Sequence, residues 1–220
     1  MSLRFVVDPA RPHGAAPAVD AAVAALASGE PVVFPTETVY GIACRPDRAA
    51  ATARLFKAKR RPEGLALPVL AATAEEALAL AGRPPAAPWF RGVPFWPGPV
   101  TFVLPRGERS KAWPLGAREE TIALRVPDHP IARAVLERSG PLAVSSANVS
   151  GEAPASTERE LVEAFGDLVA VYLVVPEALR PDEHPPSSII DLSGERPRLL
   201  RRGAVVPVIP GTGPEIDSVD

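Results

Sequence analysis

Apolar runs and segments of helical periodicity alternate along the chain. Residues 15–28 place apolar side chains at helical spacing and end at Gly29, which predicts a helix with a C-terminal glycine. Residues 31–35 form an apolar run bounded by prolines, which predicts a short buried strand. Further helices are expected at residues 47–58, 73–81, 129–139 and 156–165. Further strands are expected at residues 67–71, 100–104, 121–126, 142–145, 169–175, 188–192 and 198–200.

Polar residues mark the expected helix starts. Asp47 and Ser156 are positioned to cap the second and last helices through their side-chain oxygens. Thr73 with Glu76 forms a capping-box pattern for the helix between them. Residues 83–99 are dense in Pro, Trp and Gly, and we expect a short helix there within a rigid connection.

The order of elements predicts one mixed α/β domain. It contains no internal repeat and no linker that would divide it. We expect this domain to span residues 1–206. The Pro/Gly-rich, acidic segment 207–220 is expected to be a flexible C-terminal tail.

Composition narrows the class of protein. The 220 residues include 28 prolines and 16 glycines, together below the share typical of unstructured low-complexity chains. The formal net charge of −2 gives no overall basic field for nucleic acid. The single cysteine, Cys44, excludes an internal disulfide and is expected to be a small buried residue. With no secretory leader and no apolar run near 20 residues, we expect a soluble cytoplasmic protein without membrane contact.

The segment PTETVYG at residues 35–41 follows the predicted buried strand. It places two hydroxyls, a carboxylate, a phenol and a glycine within seven residues. Ligands of α/β sheets bind outside the carboxyl ends of strands, which makes this segment a candidate site. An ordinary strand-to-helix turn, with Thr and Glu as capping residues, explains the same composition.

Four cations lie close together at residues 57–61, at the end of a predicted helix. Lysine and arginine there are suited to phosphate or carboxylate. They also interact favourably with the negative end of the helix dipole, which is the alternative explanation. The chain has no GxxxxGK[ST] sequence, so any phosphate is held without a P-loop.

Three later segments carry small hydrogen-bonding residues. SSANVSG at residues 145–151 suits a nucleotide through hydroxyl and backbone N–H groups, or is a plain Ser/Asn turn. PSSIID at 186–191 and LLRRG at 199–203 are each weak signals alone. A Ser/His/Asp hydrolase triad is disfavoured, because GxSxG is absent and all three histidines lie next to or one residue from a proline.

Taken together and in order, these segments resemble the YrdC/Sua5 family, the threonylcarbamoyl-AMP synthases. The resemblance covers about residues 15–205. The matching segments are PTETVYG at 35–41, K-x-R-P at 59–62, WPGPVT at 96–101, IALRVPDHP at 122–130, SSANVSG at 145–151, PSSIID at 186–191 and LLRRG at 199–203.

The resemblance implies a fold and a reaction. The fold is a YrdC-like single domain, a twisted sheet of mixed parallel and antiparallel strands flanked by helices around a deep basic groove. The reaction makes threonylcarbamoyl-AMP and pyrophosphate from L-threonine, bicarbonate and ATP, the first step toward N6-threonylcarbamoyladenosine at position 37 of tRNAs. Mg²⁺ is expected with ATP, and other tRNA t6A-modification proteins and tRNA itself are the expected partners.

Site residues follow from the resemblance, motif by motif. Lys59 and Arg61 are the expected catalytic clamps for triphosphate and carbamate, with Arg60 pointing away from the groove. The residues expected to bind L-threonine are Thr36, Arg125, Ser145 and Ser187. Those expected to bind ATP are Lys59, Arg61, Thr121, Ser146, Asn148 and Arg201.

The sequence departs from the family pattern at Leu65-Ala66, where a Lys-Pro or Asn-Pro pair is common. A polar contact to ligand is expected to be missing there. The extra C-terminal domain of the longer Sua5 type is also absent, which predicts the single-domain form. Two alternatives stay open, namely a tRNA or double-stranded RNA binding protein, and a nucleotide-binding paralogue with a different acceptor.

Overall fold

A computed structural model shows a mixed sheet with helices on both of its faces. The described residues are 1–62, 64–82, 95–117, 119–179 and 185–207. The connection expected at residues 83–99 therefore lies outside the described residues over 83–94. The tail expected at 207–220 lies outside them beyond residue 207.

The described residues form five α-helices and ten strands. The helices are α1 (Ala16–Ala27), α2 (Ala49–Lys59), α3 (Ala74–Leu78), α4 (Pro130–Ser139) and α5 (Glu158–Phe165). The strands are β1 (Leu3–Val6), β2 (Val32–Phe34), β3 (Gly41–Cys44), β4 (Val69–Leu70), β5 (Val100–Pro105), β6 (Thr121–Arg125), β7 (Leu142–Ser146), β8 (Val171–Val174), β9 (Ser188–Asp191) and β10 (Arg198–Arg201).

All ten strands of the described chain belong to one sheet, in the order β1-β8-β2-β3-β7-β4-β6-β5-β9-β10. The pairs β1–β8, β8–β2, β4–β6 and β5–β9 are parallel, and the other five pairs are antiparallel. The predicted single α/β domain with a sheet of mixed direction is confirmed.

Successive side chains of a strand point to opposite faces of the sheet, so the apolar residues are divided between two cores. On β2, Val33 packs into the first core, whereas Val32 and Phe34 pack into the second. Helices α2 and α5 cover the first core, and α1 and α4 cover the second. Because both faces of β2 are buried, its residues are all apolar, which is why the sequence predicted this strand.

The second face is covered over only part of its width. Helices α1 and α4 pack over β8, β2, β3 and β7, and among the described residues this core includes nothing from β5, β6, β9 or β10. On those strands Phe102 and Leu124 point into the first core, so their neighbours Val103 and Ala123 point to the uncovered side. That exposed half-face forms the floor of a cavity.

Two predicted helix caps are wrong. Asp47 does not cap α2, because its carboxylate accepts hydrogen bonds from Arg45 (Nε–Oδ1 2.9 Å), and Arg48 occupies the N-cap without a side-chain bond. Ser156 does not cap α5. Thr157 takes that position, because it forms a reciprocal capping box with Glu160.

The predicted capping box of α3 is half formed. Thr73 Oγ1 accepts from the backbone N–H of Glu76 at 3.1 Å, as expected. The Glu76 carboxylate accepts from the N–H of Ala72 and not from that of Thr73. The helix spans Ala74–Leu78, shorter than the predicted 73–81.

Two strands were not predicted. β1 lies at the sheet edge with most of its residues exposed, so it lacks a buried apolar pattern. β3 begins at the last residue of PTETVYG and runs antiparallel to β2. The interpretation of that segment as a strand-to-helix turn is therefore wrong, because the chain turns back into the sheet there.

Burial and membrane character follow the sequence. Cys44 is buried on β3, and burial raises the pKa of its thiol to about 12. The prediction of a small buried residue is confirmed. No helix in the described part of the chain combines the length and the apolar character that crossing a membrane requires.

His129 lies at the N-cap of α4 and is half-buried. Its Nδ1 is buried and has no hydrogen-bond partner. Desolvation lowers the pKa of His129 to about 4, although Glu37 and Asp128 oppose this shift. The folded protein therefore holds this side chain neutral well below the pH at which an exposed imidazole takes a proton.

Acid should destabilise the protein through His129. Between pH 6.5 and 4 the unfolded chain binds a proton at this residue that the folded chain does not, so the unfolding free energy falls as pH falls. The pKa difference corresponds to at most about 3 kcal/mol. Urea unfolding from pH 4 to 7 should show a shallower acid loss in His129→Asn than in the wild type.

The exposed His13 provides the matched control. His13→Asn should keep the acid loss of the wild type. Equal pH dependence of the wild type and His129→Asn would contradict the role assigned to His129.

Candidate functional site

A cavity of about 350 Å³ occupies the uncovered half of the second face. It brings together eight of the ten predicted site residues from six segments of the chain. The eight that line it are Thr36, Arg61, Thr121, Arg125, Ser145, Ser146, Ser187 and Arg201. The other two, Lys59 and Asn148, lie behind the lining and contact it through the loop after β7.

Hydrogen bonds join the motifs to one another around this cavity. Ala147 N–H donates to the carbonyl of Tyr40 at 2.7 Å, which ties SSANVSG to PTETVYG. Gly98 N–H donates to the carbonyl of Val126, and Ser188 N–H donates to that of Pro99. Segments that are far apart in sequence therefore form one connected backbone framework.

The loop between β2 and β3 is held by the Thr36 hydroxyl. Its Oγ1 accepts from the N–H groups of Thr38 and Val39, both at 3.2 Å, and donates to the Val39 carbonyl at 2.6 Å. These local bonds are typical of a Thr-stabilised turn. Thr36 thus lines the cavity with a hydroxyl whose orientation the backbone has already fixed.

Arg125, at the end of β6, is 6% exposed and contacts two loops. Its Nε donates to the Gly98 carbonyl at 3.1 Å, and its Nη1 donates to Thr38 Oγ1 at 3.0 Å. Its Nη2 lies 2.7 Å from Glu37 Oε1, an ion pair whose geometry falls outside that of a hydrogen bond. A guanidinium has five N–H donors, so Arg125 keeps donors for a ligand in the cavity.

Lys59 is 1% exposed and lies at the last turn of α2. Its ammonium donates to the carbonyls of Ser146 (2.5 Å) and Asn148 (2.7 Å). Its own carbonyl accepts from Ser150 N–H at 2.9 Å. Burial, together with the charge of Arg61, lowers the pKa of Lys59 to about 8. Lys59 therefore fastens α2 to the loop that follows β7.

Asn148 completes that loop from inside. Its Nδ2 donates to the carbonyls of Val149 and Glu152, both at 2.8 Å, and its Oδ1 accepts from Ser146 Oγ. All three polar positions of the amide are thus used within the loop. Asn148 maintains the loop conformation in which Ser146 reaches the cavity.

The two serines of this segment face different sides of the sheet. Ser145 pairs with Ile42, whose side chain belongs to the first core, and Ser146 pairs with Gly41 on the cavity side. Both serines nevertheless line the cavity. Strand register therefore separates two residues that the sequence left interchangeable.

Ser187 is buried between β5 and β10. Its Oγ lies 2.8 Å from Thr101 Oγ1, and its carbonyl accepts from Nε (3.0 Å) and Nη2 (2.8 Å) of Arg201. Burial and repulsion by Arg125 lower the pKa of Arg201. Arg201 is thus bound to Ser187 beside the cavity, although the residue as a whole stays exposed.

Gly203 lets the chain after β10 lie directly against this serine. A Cβ at this position would come within 2.1 Å of the Pro186 carbonyl oxygen and 2.4 Å of the Ser187 carbonyl carbon. Only glycine fits such an approach between two backbones. The glycine of LLRRG therefore has a steric role in the site.

Arg61 is bound to the segment that departs from the family pattern. Its Nε donates to the Leu65 carbonyl and its Nη2 to the Ala66 carbonyl, both at 2.9 Å. The backbone of these residues, and not their side chains, orients the guanidinium. Arg60 adopts a left-handed conformation with φ 50° and is exposed, as the prediction that it points away requires.

The cavity lining is suited to anions and not to a resident metal ion. Three arginines line it, and no Asp or Glu of the described chain does so. The part of the chain that the structure describes also contains no cluster of His, Cys, Asp and Glu that could hold a metal. Mg²⁺ prefers carboxylate oxygens, so the residues present do not fit a Mg²⁺ ion bound directly by the protein.

Sequence reasoning missed four residues at the site. Glu37 and Thr38 contact Arg125, Thr101 contacts Ser187, and Gly203 packs against Ser187. All four stand inside matched motifs, so motif membership was the available signal. What was missing was the knowledge of which side chains meet across the sheet.

Comparisons with known proteins agree with this geometry. A sequence model of the Sua5/YciO/YrdC family, described as "Telomere recombination", matches residues 24–203. A Mycobacterium tuberculosis protein provisionally named threonylcarbamoyl-AMP synthase is 38% identical over 90% of this chain and 89% of its own. The threonylcarbamoyl-AMP synthase of Vibrio vulnificus is 36% identical over 82% of this chain and 96% of its own.

A solved structure has the same fold. The crystal structure of P. abyssi Sua5 complexed with L-threonine matches with a TM-score of 0.73 and 30% identity. The match covers 92% of this chain and 57% of that longer chain.

Replacing Gly203 with alanine should disturb Ser187 directly. The added Cβ meets backbone atoms that cannot rotate away, so the chain has to shift, and we expect the unfolding free energy to fall by about 1–3 kcal/mol. Urea unfolding measures this loss. A Cβ at Gly194 meets nothing within 4 Å, so Gly194→Ala is the matched control and should be nearly neutral. Equal stability of the two variants would contradict the steric role of Gly203.

Proposed function

The chain belongs to the Sua5/YciO/YrdC family, and we propose that it is a threonylcarbamoyl-AMP synthase. The proposed reaction joins L-threonine, bicarbonate and ATP into threonylcarbamoyl-AMP and pyrophosphate. The relatives that carry this name match most of the chain, and the related Sua5 was solved with L-threonine.

The observation that carries the proposal is the convergence of the motifs on one cavity. PTETVYG supplies Thr36, the strand β6 supplies Arg125, and PSSIID supplies Ser187. Backbone hydrogen bonds between the motifs fix their relative positions. A cavity lined by arginines and hydroxyls suits small anionic reactants that must be held together.

The proposed chemistry needs positioning and charge neutralisation. The threonine amine attacks the carbon of bicarbonate, or of the CO₂ derived from it, and a carbamate and water result. A carbamate oxygen then attacks the α-phosphorus of ATP, and the bond to the leaving pyrophosphate breaks. Fixed cations and hydroxyls lower the cost of bringing these negative groups together.

Arg125 is proposed to bind the carboxylate of threonine. Its guanidinium is held in place by Gly98 and Thr38, and its remaining donors suit a carboxylate. Ser187, Thr36 and Ser145 line the same cavity and are the further residues proposed for threonine.

Arg61 and Arg201 are proposed to neutralise the phosphates of ATP, because both line the cavity. Thr121 and Ser146 are the hydroxyls proposed to contact the nucleotide. Lys59 and Asn148 act from behind, by fixing the loop that presents Ser146. For Lys59 to bind phosphate directly, its ammonium must give up its hydrogen bonds to the carbonyls of Ser146 and Asn148.

Mg²⁺ is proposed to enter with ATP as part of the substrate. The anion-binding lining gives it no carboxylate ligand, so no step of the proposed chemistry is assigned to a metal held by the protein. The adenylate product must be consumed by an enzyme that transfers its threonylcarbamoyl group to tRNA. Other t6A-modification proteins are therefore the proposed partners.

The alternative of a paralogue with a different acceptor rested on Leu65-Ala66. Both positions hold Arg61 through backbone carbonyls, which their side chains do not change. The departure thus leaves the attachment of Arg61 unchanged, although Leu65 and Ala66 give the cavity an apolar lining at this point.

Pyrophosphate release tests the proposed reaction. The purified protein with MgATP should release pyrophosphate only when both L-threonine and bicarbonate are present, because the carbamate is the nucleophile. An enzyme-coupled pyrophosphate assay measures this, with omission of each substrate as a control. Equal release without threonine, or equal release when serine replaces it, would refute the assignment.

Removing either predicted clamp should slow this reaction. Lys59→Ala and Arg61→Ala should each lower kcat/KM at least ~10-fold, since a hydrogen bond to a charged group contributes roughly 1.5–3 kcal/mol. The exposed neighbours Lys57 and Arg60 provide matched controls of the same side-chain types. Lys57→Ala and Arg60→Ala should stay near the wild-type rate, and a comparable loss in these controls would show that general surface charge is responsible.

A further inference from the structure

Glu37 and Arg125 form a buried ion pair between two distant parts of the chain. Glu37 lies in the β2–β3 loop and Arg125 at the end of β6, and their side chains are 20% and 7% exposed. In each of the other nine ion pairs found among the described residues, both side chains are at least 31% exposed. The pair thus differs in kind from the surface pairs.

Such a pair is a poor source of stability. Removing two charges from water costs free energy that their attraction often fails to recover. Arg125 has two further acceptors, the Gly98 carbonyl and Thr38 Oγ1, which already hold its Nε and Nη1. The carboxylate of Glu37 therefore needs an explanation other than stability.

Glu37 contacts the guanidinium of Arg125 without lining the cavity. Its neighbours Thr36 and Thr38 both line the cavity, whereas Glu37 does not. The carboxylate therefore does not line the space in which a substrate would lie. Any effect on the substrate passes through Arg125.

The ion pair leaves a donor of Arg125 unused. Nη2 lies 2.7 Å from Glu37 Oε1, but it is buried and has no hydrogen-bond partner of suitable geometry. Glu37 thus balances the charge of the guanidinium without satisfying the hydrogens of Nη2. Because Nη2 is buried, a ligand in the cavity contacts Arg125 through its other atoms, and Glu37 acts on that ligand only by orienting the guanidinium.

Charge balance also separates Arg125 from the other two arginines of the cavity. Arg61 and Arg201 have no carboxylate partner within ion-pair distance among the described residues, and burial together with repulsion by Arg125 lowers the pKa of Arg201. An Arg125 without its counter-charge would be attracted toward the same phosphates as Arg61 and Arg201. With Glu37 behind it, Arg125 is held where Gly98 and Thr38 also bind it.

We propose that Glu37 is a positioning residue that holds Arg125 in the orientation that binds the carboxylate of L-threonine, and so reserves this arginine for the amino acid. The proposal rests on the proposed function and adds to it a residue that acts on one substrate only. It predicts that loss of the carboxylate weakens threonine binding and leaves ATP binding nearly unchanged.

The experiment measures KM for L-threonine and for ATP separately, by pyrophosphate release. Glu37→Gln removes the charge and keeps the shape of the side chain. Its KM for threonine should rise at least ~10-fold, while its KM for ATP should stay within about twofold of the wild type. Glu37→Asp keeps the charge on a shorter side chain. Its KM for threonine should rise about threefold, to a value between those of the wild type and Glu37→Gln.

Glu30→Gln is the matched control. Glu30 pairs with Arg54 at the same 2.7 Å distance, but both side chains are exposed, and neither residue lines the cavity. This variant should keep both KM values of the wild type. A change in threonine KM as large as that of Glu37→Gln would overturn the specific role of Glu37.

Urea unfolding first establishes that each variant is folded. If Glu37→Gln does not fold, Glu37→Asp alone decides the matter. A threonine KM that is unchanged in the folded variant, or that rises together with the ATP KM, overturns the proposal and leaves Glu37 a structural role. The wild-type reaction is a separate test, because absence of threonine-dependent pyrophosphate release there refutes the proposed function itself.

Discussion

The site depends on the incomplete cover of one face of the sheet. Helices α1 and α4 bury that face over β8, β2, β3 and β7, and their cover ends at Leu70 and Val144, which pack under the helices and also line the cavity. Beyond this edge β6 places Thr121, Ala123 and Arg125 on the side of the sheet that lines the cavity. The closely packed first core beneath these strands fixes their positions and therefore the shape of the cavity floor.

The polar groups around the cavity are largely committed to the protein before any ligand arrives. Thr36 bonds its own turn, Asn148 bonds its own loop, and Ser187 is held by Arg201. Groups fixed in this way lose little freedom when a substrate binds, and they need little reorganisation when charge moves during the reaction. The same bonds explain why so many hydroxyl residues stand in loops that are otherwise irregular.

The sequence predicted the central elements well, because a strand buried on both faces, such as β2, is a short all-apolar run and an amphipathic helix such as α4 has a period of 3.6 residues. It missed β1, whose exposed edge lacks such a pattern, and β3, whose start lies within a motif. Eight of the ten site residues expected from the motifs line one cavity. The sequence did not reveal that Lys59 points into the 146–150 loop, nor that Glu37 meets Arg125, since both depend on contacts across more than 80 residues of chain.

The attachment of Lys59 to the loop after β7 has a consequence for which residues of the chain can be replaced. Lys59 and Asn148 are 89 residues apart, yet the Lys59 ammonium donates a hydrogen bond to the backbone carbonyl of Asn148. A shorter side chain at either position leaves buried carbonyl groups without donors, which no single replacement elsewhere restores. The two segments are therefore coupled through the backbone, so that replacing Lys59 disturbs the 146–150 loop, whereas replacing the exposed neighbour Lys57 does not.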